Sequence, residues 1–378
     1  MNRPALPPLL ELARLFLKLG TIGLGGPAAH IALMEDEVVR RRGWLSRERF
    51  LDLLGATNLI PGPNSTEMAI HVGQERAGWR GLVVAGASFI APAFLIVLGC
   101  AWAYVRYGRL PAAEGLLHGV KPVIIAVVLQ ALWSLGRTAA RSPTLGTAGL
   151  VSLAAAAAGV HELVVIFGAG AILALLAWAR TGRANGILAM PAGAGALASA
   201  ATGAASFGLL PLFLVFLKVG SVLFGSGYVL LAFLRADLVV RRGWLSESQL
   251  LDAVAVGQVT PGPVFTTATF VGYVLGGFWG AVVATLGIFL PAFVFVALSG
   301  PLVPRIRRSP VAGAFLDGVN VGSIALMALV TAQLARAAVV DGWTAVIAAA
   351  SAVLLLRFRA SPAWLALAGG LLGLVLPR

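Results

Sequence analysis

Long apolar runs separated by short charged clusters dominate the chain. Gly81–Tyr104 carries no charged residue, and Asn185–Leu217 and Phe270–Val303 carry none across 33 and 34 positions. Val151–Val160 and Leu163–Ala179 are also uncharged and flank only His161 and Glu162. About 20 apolar residues cross the hydrocarbon of a bilayer, so runs of this kind predict membrane helices. The first part of the chain predicts an apolar segment over 9–34, interrupted by Gly20, Gly23, Gly25, Gly26 and Pro27. A charged amphipathic stretch, Glu35–Arg49, is expected to lie at the interface. Two short helical pieces, 50–60 and 65–73, flank Pro61-Gly62-Pro63, and neither alone is long enough to span. Full spans are expected over 79–105, 114–136, 143–160 and 162–180.

The same succession then recurs, at 211–234, 249–272, 278–303, 314–335, 341–356 and 361–376. Residues 12–63 align without gaps to 212–263, and 19 of the 52 positions are identical. Arg41-Arg42-Gly43-Trp44-Leu45-Ser46 returns unbroken as Arg241-Arg242-Gly243-Trp244-Leu245-Ser246, and Pro61-Gly62-Pro63 as Pro261-Gly262-Pro263. After a one-residue deletion, Gly73, Gly78, Gly81 and Pro92 pair with Gly272, Gly277, Gly280 and Pro291. The chain therefore divides into a first repeat (1–183), an Ala/Gly-rich connector with the length of an extra span (184–208), and a second repeat (209–378). The fold class predicted is an all-α integral membrane protein of two homologous helical repeats with broken, re-entrant helices and about 10–13 membrane segments. Lys and Arg in the short loops fit the positive-inside rule best if the second repeat is inverted. Arg106, Arg109 and Arg336 run against that placement.

Composition sharpens the class. The 378 residues are 59% hydrophobic and 11% charged, far from the balance of a soluble domain. Their mean hydropathy is +0.93. The formal net charge of +13 sits in clusters between apolar runs, which sets orientation in a membrane and gives no reason to expect a nucleic-acid partner. A single cysteine, Cys100, excludes a disulfide framework or a thiolate metal site. No cofactor is implied. Residues 1–8 do not resemble a cleavable signal peptide, and a multi-pass protein of a prokaryotic inner membrane is expected. A membrane enzyme would need a nucleophile–base pair or a metal set, and no Gly-x-Ser-x-Gly, paired histidine or Asp-rich motif is present.

Matched interruptions in two inverted repeats mark a transporter's midplane site. Proline cannot continue a helix interior, so both Pro-Gly-Pro sites must break it. Unwound backbone at membrane depth survives only where protein buries it or a wet cavity receives it. The helix starting after each break offers free N–H groups and a positive dipole end. Asn64, Ser65 and Thr66 follow the first break; Thr260 precedes the second, and Thr266 and Thr267 follow it. Such donors suit a small oxyanion.

Phe-Leu-Lys-x-Gly with the following Gly-Gly-Pro (16–27), Arg-Arg-Gly-Trp-Leu-Ser (41–46) and Asn58-x-x-Pro-Gly-Pro-Asn (58–64), each with a counterpart in the second half, resemble the chromate transporter family in its two-domain form. The resemblance covers essentially the whole chain. It implies secondary export of chromate, with sulfate as a close analogue, on the proton-motive force; a sulfate or other small-anion carrier or channel is the alternative. The implied partners are the oxyanion and the lipid bilayer, and a homodimer is allowed. The second half departs at Ser226-Gly227, Val264 and Arg235, where the first has Gly26-Pro27, Asn64 and Glu35.

The candidate substrate-binding residues are Lys18, Gly25, Gly26, Pro27, Asn58, Pro61, Gly62, Pro63, Asn64, Ser65 and Thr66. Their second-half partners are Lys218, Gly225, Ser226, Gln258, Thr260, Pro261, Gly262, Pro263, Thr266 and Thr267. Lys18 and Lys218, one per repeat in apolar surroundings, are placed to flank a dianion, or else snorkel to the interface. Glu67, with His71 at i+4, suits a coupling proton because a lone charge is costly inside a membrane. Arg41, Arg42, Arg241 and Arg242 read as interfacial anchors beside Trp44 and Trp244. Asp52 and Asp252 read as caps or partners of nearby arginine, and His30, His118 and His161 as ordinary interfacial residues.

Overall fold

The structure is a computed structural model and describes residues 8–23, 26–108, 110–139, 141–181, 207–224, 227–307, 309–358 and 360–375. The connector over 184–206 lies outside these residues. The described chain is helical. The first repeat contains α1 (Pro8–Ile22), α2 (Gly26–Glu35), α3 (Arg47–Thr57), α4 (Asn64–Tyr107), α5 (Pro111–Ala139), α6 (Pro143–Ala157) and α7 (Glu162–Thr181). The second contains α8 (Leu209–Val222), α9 (Leu230–Leu234), α10 (Glu247–Val259), α11 (Thr267–Arg307), α12 (Pro310–Ala338), α13 (Gly342–Phe358) and α14 (Pro362–Val375). Wider π-helical turns, Asp36–Arg41 and Arg235–Arg241, extend α2 and α9.

α4 is a hairpin, not one rod. Ala77 (φ −147°, ψ 28°) and Gly78 (φ 58°, ψ −147°) reverse its direction, as Gly276 (φ −141°, ψ 22°) and Gly277 (φ 61°, ψ −151°) do in α11. In an uninterrupted helix Gly73 and Gly81 would stand about 12 Å apart. Instead their backbones touch, and a side chain on either would strike the other's carbonyl; Gly272 and Gly280 repeat the contact. The absent side chains let the two arms close, as small residues do between membrane helices. Trp79 and Trp279, 72% and 65% exposed beside the turns, place the reversals at the lipid–water boundary where aromatic rings anchor. The short arm, 64–76, therefore runs about 20 Å inward, as the predicted half-helix after the break requires.

Helix directions establish the inversion. Short connections make α5, α6 and α7 alternate, so α5 and α7 run parallel. α7 meets α12 with Gly170 against Val319 and Ile166 against Gly322, an antiparallel pair. α14 meets α5 in the same way, with Gly369 against Gly119 and Gly373 against Gly115. The two pairings exchange under the repeat shift, so a pseudo-two-fold relates them. α5 and its copy α12 consequently run in opposite senses. A core that includes Val123–Val128, Ile166, Phe216, Phe265 and Val319 crosses the repeat boundary, so neither repeat closes alone. Five helices are long and apolar enough to cross a membrane, and four shorter apolar helices accompany them among the described residues.

Candidate functional site

The breaks of the two repeats are tied crosswise. The Gly62 N–H donates to the Leu223 carbonyl at 2.9 Å, and the Gly262 N–H donates to the Gly23 carbonyl at 2.9 Å. Gly23 and Leu223 occupy the same position in the two copies, so the bonds are related by the pseudo-two-fold. Each Pro-Gly-Pro thereby spends its one available N–H on the other repeat's interrupted first helix. The interruption in each first helix thus meets the break of the other repeat, and carbonyls freed there find partners inside the protein. Gly62 (φ 142°) and Gly262 (φ 94°) hold conformations that favour glycine. The fit is close: a methyl group on Gly262 would lie 2.5 Å from Ala93 Cβ and 3.2 Å from the Gly20 carbonyl oxygen. Prolines 61, 63, 261 and 263 supply the stop; Pro63 ends in extended backbone (ψ 97°) before α4 begins.

The donors differ between the copies. Ser65, Thr66 and Glu67 in the first turn of α4 are fully or almost fully buried. The Thr66 hydroxyl and both Glu67 carboxyl oxygens have no hydrogen-bond partner among the described residues. Glu67 Oε1 lies against Gly62, where any side chain would collide with it. In the second copy the hydroxyls are spent locally. Thr266 donates to the Pro263 carbonyl (2.7 Å), Thr267 to Val264 (2.8 Å) and Thr260 to Val256 (2.8 Å). Asn64 Nδ2 donates to Asn58 Oδ1 at 2.8 Å, bridging the first break from side to side. Gln258, its counterpart, lies near the end of α10. His71 is buried with Nε2 unpartnered and makes no hydrogen bond to Glu67. Gly26 (φ 77°) and Pro27 start α2; Gly25, Gly225 and Ser226 lie outside the described residues.

A cavity of about 260 Å³ reaches the first break from the C-terminal end of α5. Asn58, Phe224, Arg141, Asn320 and Ser323 line it. The Ser323 hydroxyl is buried and unpartnered. Arg141 is held by Asp317 through two bonds of 2.7 and 2.8 Å. Sequence reasoning missed Arg141, Asn320 and Ser323. The available signal was two polar residues inside the apolar run over 314–335.

Three expectations need correction. Lys18 and Lys218 do not stand free beside the breaks. Lys18 pairs with Glu37 at 2.6 Å and is half-exposed. Its hydrogen bond, more than any other influence, holds the Glu37 carboxyl below the usual carboxylate range. Lys218 is buried against Asp237, with Glu162 at 3.8 Å, and Arg241 pairs with both carboxylates. A lysine in apolar surroundings needs a counter-charge, and the π-helical turns bring Glu37 and Asp237 to meet it. The expected arginine partner of Asp252 is likewise replaced by Lys121 (3.2 Å) and the Tyr104 hydroxyl (2.9 Å). His30 is not interfacial: it is 2% exposed and its Nε2 meets the Gly23 carbonyl at 2.9 Å, the same carbonyl that receives the Gly262 N–H. Of the arginines read as anchors, Arg42 lies over the Trp44 ring (5.1 Å) and Arg242 over Trp244 (4.9 Å), whereas Arg41 pairs with Asp36 and Arg241 with buried Asp237 and Glu162.

Two inverted helical repeats whose broken segments interlock at the centre of a polytopic bundle define the class of membrane carriers. The chromate transporter family model matches residues 10–176 and 210–374, and the chain belongs to that family. It is a multi-pass bacterial membrane transporter and not an enzyme. The chromate transport protein of Cupriavidus metallidurans is 33% identical over 375 residues, 97% of this chain and 93% of that one. That of Pseudomonas aeruginosa is 34% identical over 348 residues, 88% of this chain and 83% of its own length. A probable chromate transport protein of Synechococcus elongatus is 32% identical over 341 residues, 88% and 86% of the two chains. No solved structure matches.

Proposed function

We propose that this chain exports chromate, and accepts sulfate as an analogue of the same shape and charge, past the crosswise-paired breaks. The observation that carries the reading is the crosswise Gly62–Leu223 and Gly262–Gly23 pairing. It fixes the first break, and with it the unspent Thr66 hydroxyl at the start of α4, against the other repeat. The names of the relatives supply the anion. The first break is the working half, since its Thr66 hydroxyl is unspent whereas the threonine hydroxyls of the second are bonded locally. Asn58, Asn64, Ser65 and Thr66 bind the oxyanion, and Arg141, Asn320 and Ser323 receive it in the cavity that leads there. Lys18 and Lys218, tied to carboxylates, tune the field and set the interrupted helices in place.

Energetics favour export. Moving one charge through 100 mV is worth about 2.3 kcal/mol. A dianion leaving a cell that is negative inside therefore gains about 4.6 kcal/mol per 100 mV. The proton-motive force drives the cycle through this electrical component, and Glu67, with His71 one turn on, carries the proton that balances charge at the break. Labelled chromate uptake into inverted membrane vesicles tests the reading, with the potential and the pH gradient set separately. Potential-driven uptake that sulfate inhibits is expected. Vesicles that hold folded protein and take up no chromate would remove the substrate assignment.

A further inference from the structure

Glu67 is fully buried and lines neither of the two cavities at the ends of α5, so a proton that reaches the breaks must enter through another group. The second cavity, about 480 Å³, lies at the N-terminal end of α5. Lys121 borders it and Leu135 borders the first; the two are about 21 Å apart along the helix. Between them residues 123–128 are buried, so the cavities face opposite sides of the membrane with a buried belt between.

The lining of this second cavity includes Tyr104, Glu114, His118, Lys121 and Asp252, all of them titratable side chains. At its base Asp252 is 2% exposed. The Tyr104 hydroxyl from α4 donates to its Oδ2 at 2.9 Å, and Lys121 Nζ from α5 lies 3.2 Å from its Oδ1. Lys121 also donates to the Ser248 hydroxyl at 2.7 Å. Glu114 and His118 of α5 line the mouth, and His118 Nε2 meets Asp341 at 3.0 Å. With two carboxylates in its lining, the cavity suits a dianion poorly. Polar walls that reach the surface suit water and a proton. The asymmetry points the same way: the repeat shift carries Lys121 to Asn320 and Tyr104 to Val303, so the opposite face has no such triad.

We propose that Asp252, held between Tyr104 and Lys121, is a proton-exchange site that serves this face of the membrane and couples proton entry to movement of the repeats. The inference rests on the transporter reading above. The step is a simple acid–base one: hydronium gives its proton to Asp252 Oδ1, water is released, and Lys121 remains an ammonium. The carboxyl becomes neutral and the charge attraction of the Asp252–Lys121 pair between α10 and α5 is lost, leaving the Lys121–Ser248 hydrogen bond. α10 belongs to the second repeat, α5 to the first, and α10 ends at Val259, just before the second Pro-Gly-Pro. Protonation at the cavity therefore loosens the inter-repeat contact that positions a break.

The test uses the full chain in proteoliposomes, comparing wild type with Asp252→Asn, Asp252→Glu and Lys121→Asn. Two readouts are taken: chromate–chromate counterflow at equal pH, and net chromate flux at fixed potential with and without a pH gradient. Asp252→Asn should retain counterflow within about threefold and lose the response to the gradient, whereas Asp252→Glu should retain both. Lys121→Asn, which copies the other face, should shift the pH at which the response is half-maximal. A response to the gradient in Asp252→Asn equal to that of wild type would overturn the proposal. Equal loss of counterflow and gradient response would also overturn it, since that is the signature of a structural ion pair. Infrared pH-difference spectra give a readout independent of any anion. A protonated-carboxyl band present in wild type and in Glu114→Gln but absent in Asp252→Asn is expected, and its persistence in Asp252→Asn would refute the assignment. Should Asp252→Asn fail to fold, the spectrum and pH response of Lys121→Asn decide: an unshifted pair refutes it. Absence of wild-type chromate counterflow alongside the Asp252 band would sink the substrate reading and leave the proton site standing.

Discussion

Replacing Gly262 by alanine tests the crosswise packing of the breaks most directly. Gly262 has φ 94°, a region that costs an L-residue about 1–2 kcal/mol. The added methyl would lie 2.5 Å from Ala93 Cβ, and forcing one carbon into a packed interior costs about 1–3 kcal/mol. Together the substitution should destabilise the protein by about 2–5 kcal/mol. Gly43→Ala is the control, because Gly43 also has positive φ (60°) but no atom within 4 Å of the new methyl. It should lose about 1–2 kcal/mol, from backbone strain alone. The unfolded-chain entropy gained with alanine is common to both variants and cancels in the comparison. Against an Ala93→Gly background, which itself carries about 1 kcal/mol for a glycine inside a helix, Gly262→Ala meets no Ala93 methyl and should cost about 1–3 kcal/mol less than against wild type. Equilibrium denaturation in detergent micelles measures all five proteins. If Gly262→Ala is no worse than Gly43→Ala, or if Ala93→Gly fails to rescue it, the two repeats do not meet at their breaks as described.

Lysine pairing gives a second contrast. Lys218→Met leaves Arg241 alone to balance buried Asp237 and Glu162, one negative charge uncompensated, and should cost about 3–5 kcal/mol, while Lys18→Met, at a half-exposed pair, should cost about 0–1 kcal/mol; denaturation of both variants measures the difference. The donors at the breaks are unequal, so Thr66→Val should weaken oxyanion affinity by about 1.5–3 kcal/mol, the range for a bond to a charged group. Thr266→Val should change that affinity little, and concentration-dependent uptake in vesicles separates the two. Glu37 has its carboxyl held low by Lys18. A depressed carboxyl adds stability above its unfolded value and loses it as pH falls through the folded one. Thermal unfolding of wild type should therefore weaken on the acid side, and Glu37→Gln should flatten that acid limb; an unchanged slope would show that the pair contributes nothing.

Much of the architecture was legible in the chain. Lipid is the solvent for most of the surface, so hydropathy reports spans directly. The duplicated Arg-Arg-Gly-Trp-Leu-Ser and Pro-Gly-Pro runs revealed two copies of one unit. Proline and glycine punctuate locally, so Pro61–Pro63 and Gly78 announced the break and the start of a new segment without tertiary information. The inversion was readable from arginine placement, although Arg106, Arg109 and Arg336 blurred it.

What the sequence could not show is which partners meet across the repeats. Gly62 with Leu223, Lys121 with Asp252 and Arg141 with Asp317 are separated by well over one hundred residues, and no local rule connects them. The misread residues share this cause. Lys18 and Lys218 read as free cations because their counter-charges, Glu37 and Asp237, arrive through π-helical turns that periodicity does not reveal. His30 read as interfacial because an isolated histidine carries no sign of the carbonyl it will meet. The sequence by itself determined the membrane class, the duplication and the places where helices must stop, because each depends on the solvent or on one residue's own backbone. Only the tertiary structure decided which donors remain unspent, since a buried polar group is committed by whatever the fold brings within hydrogen-bond reach.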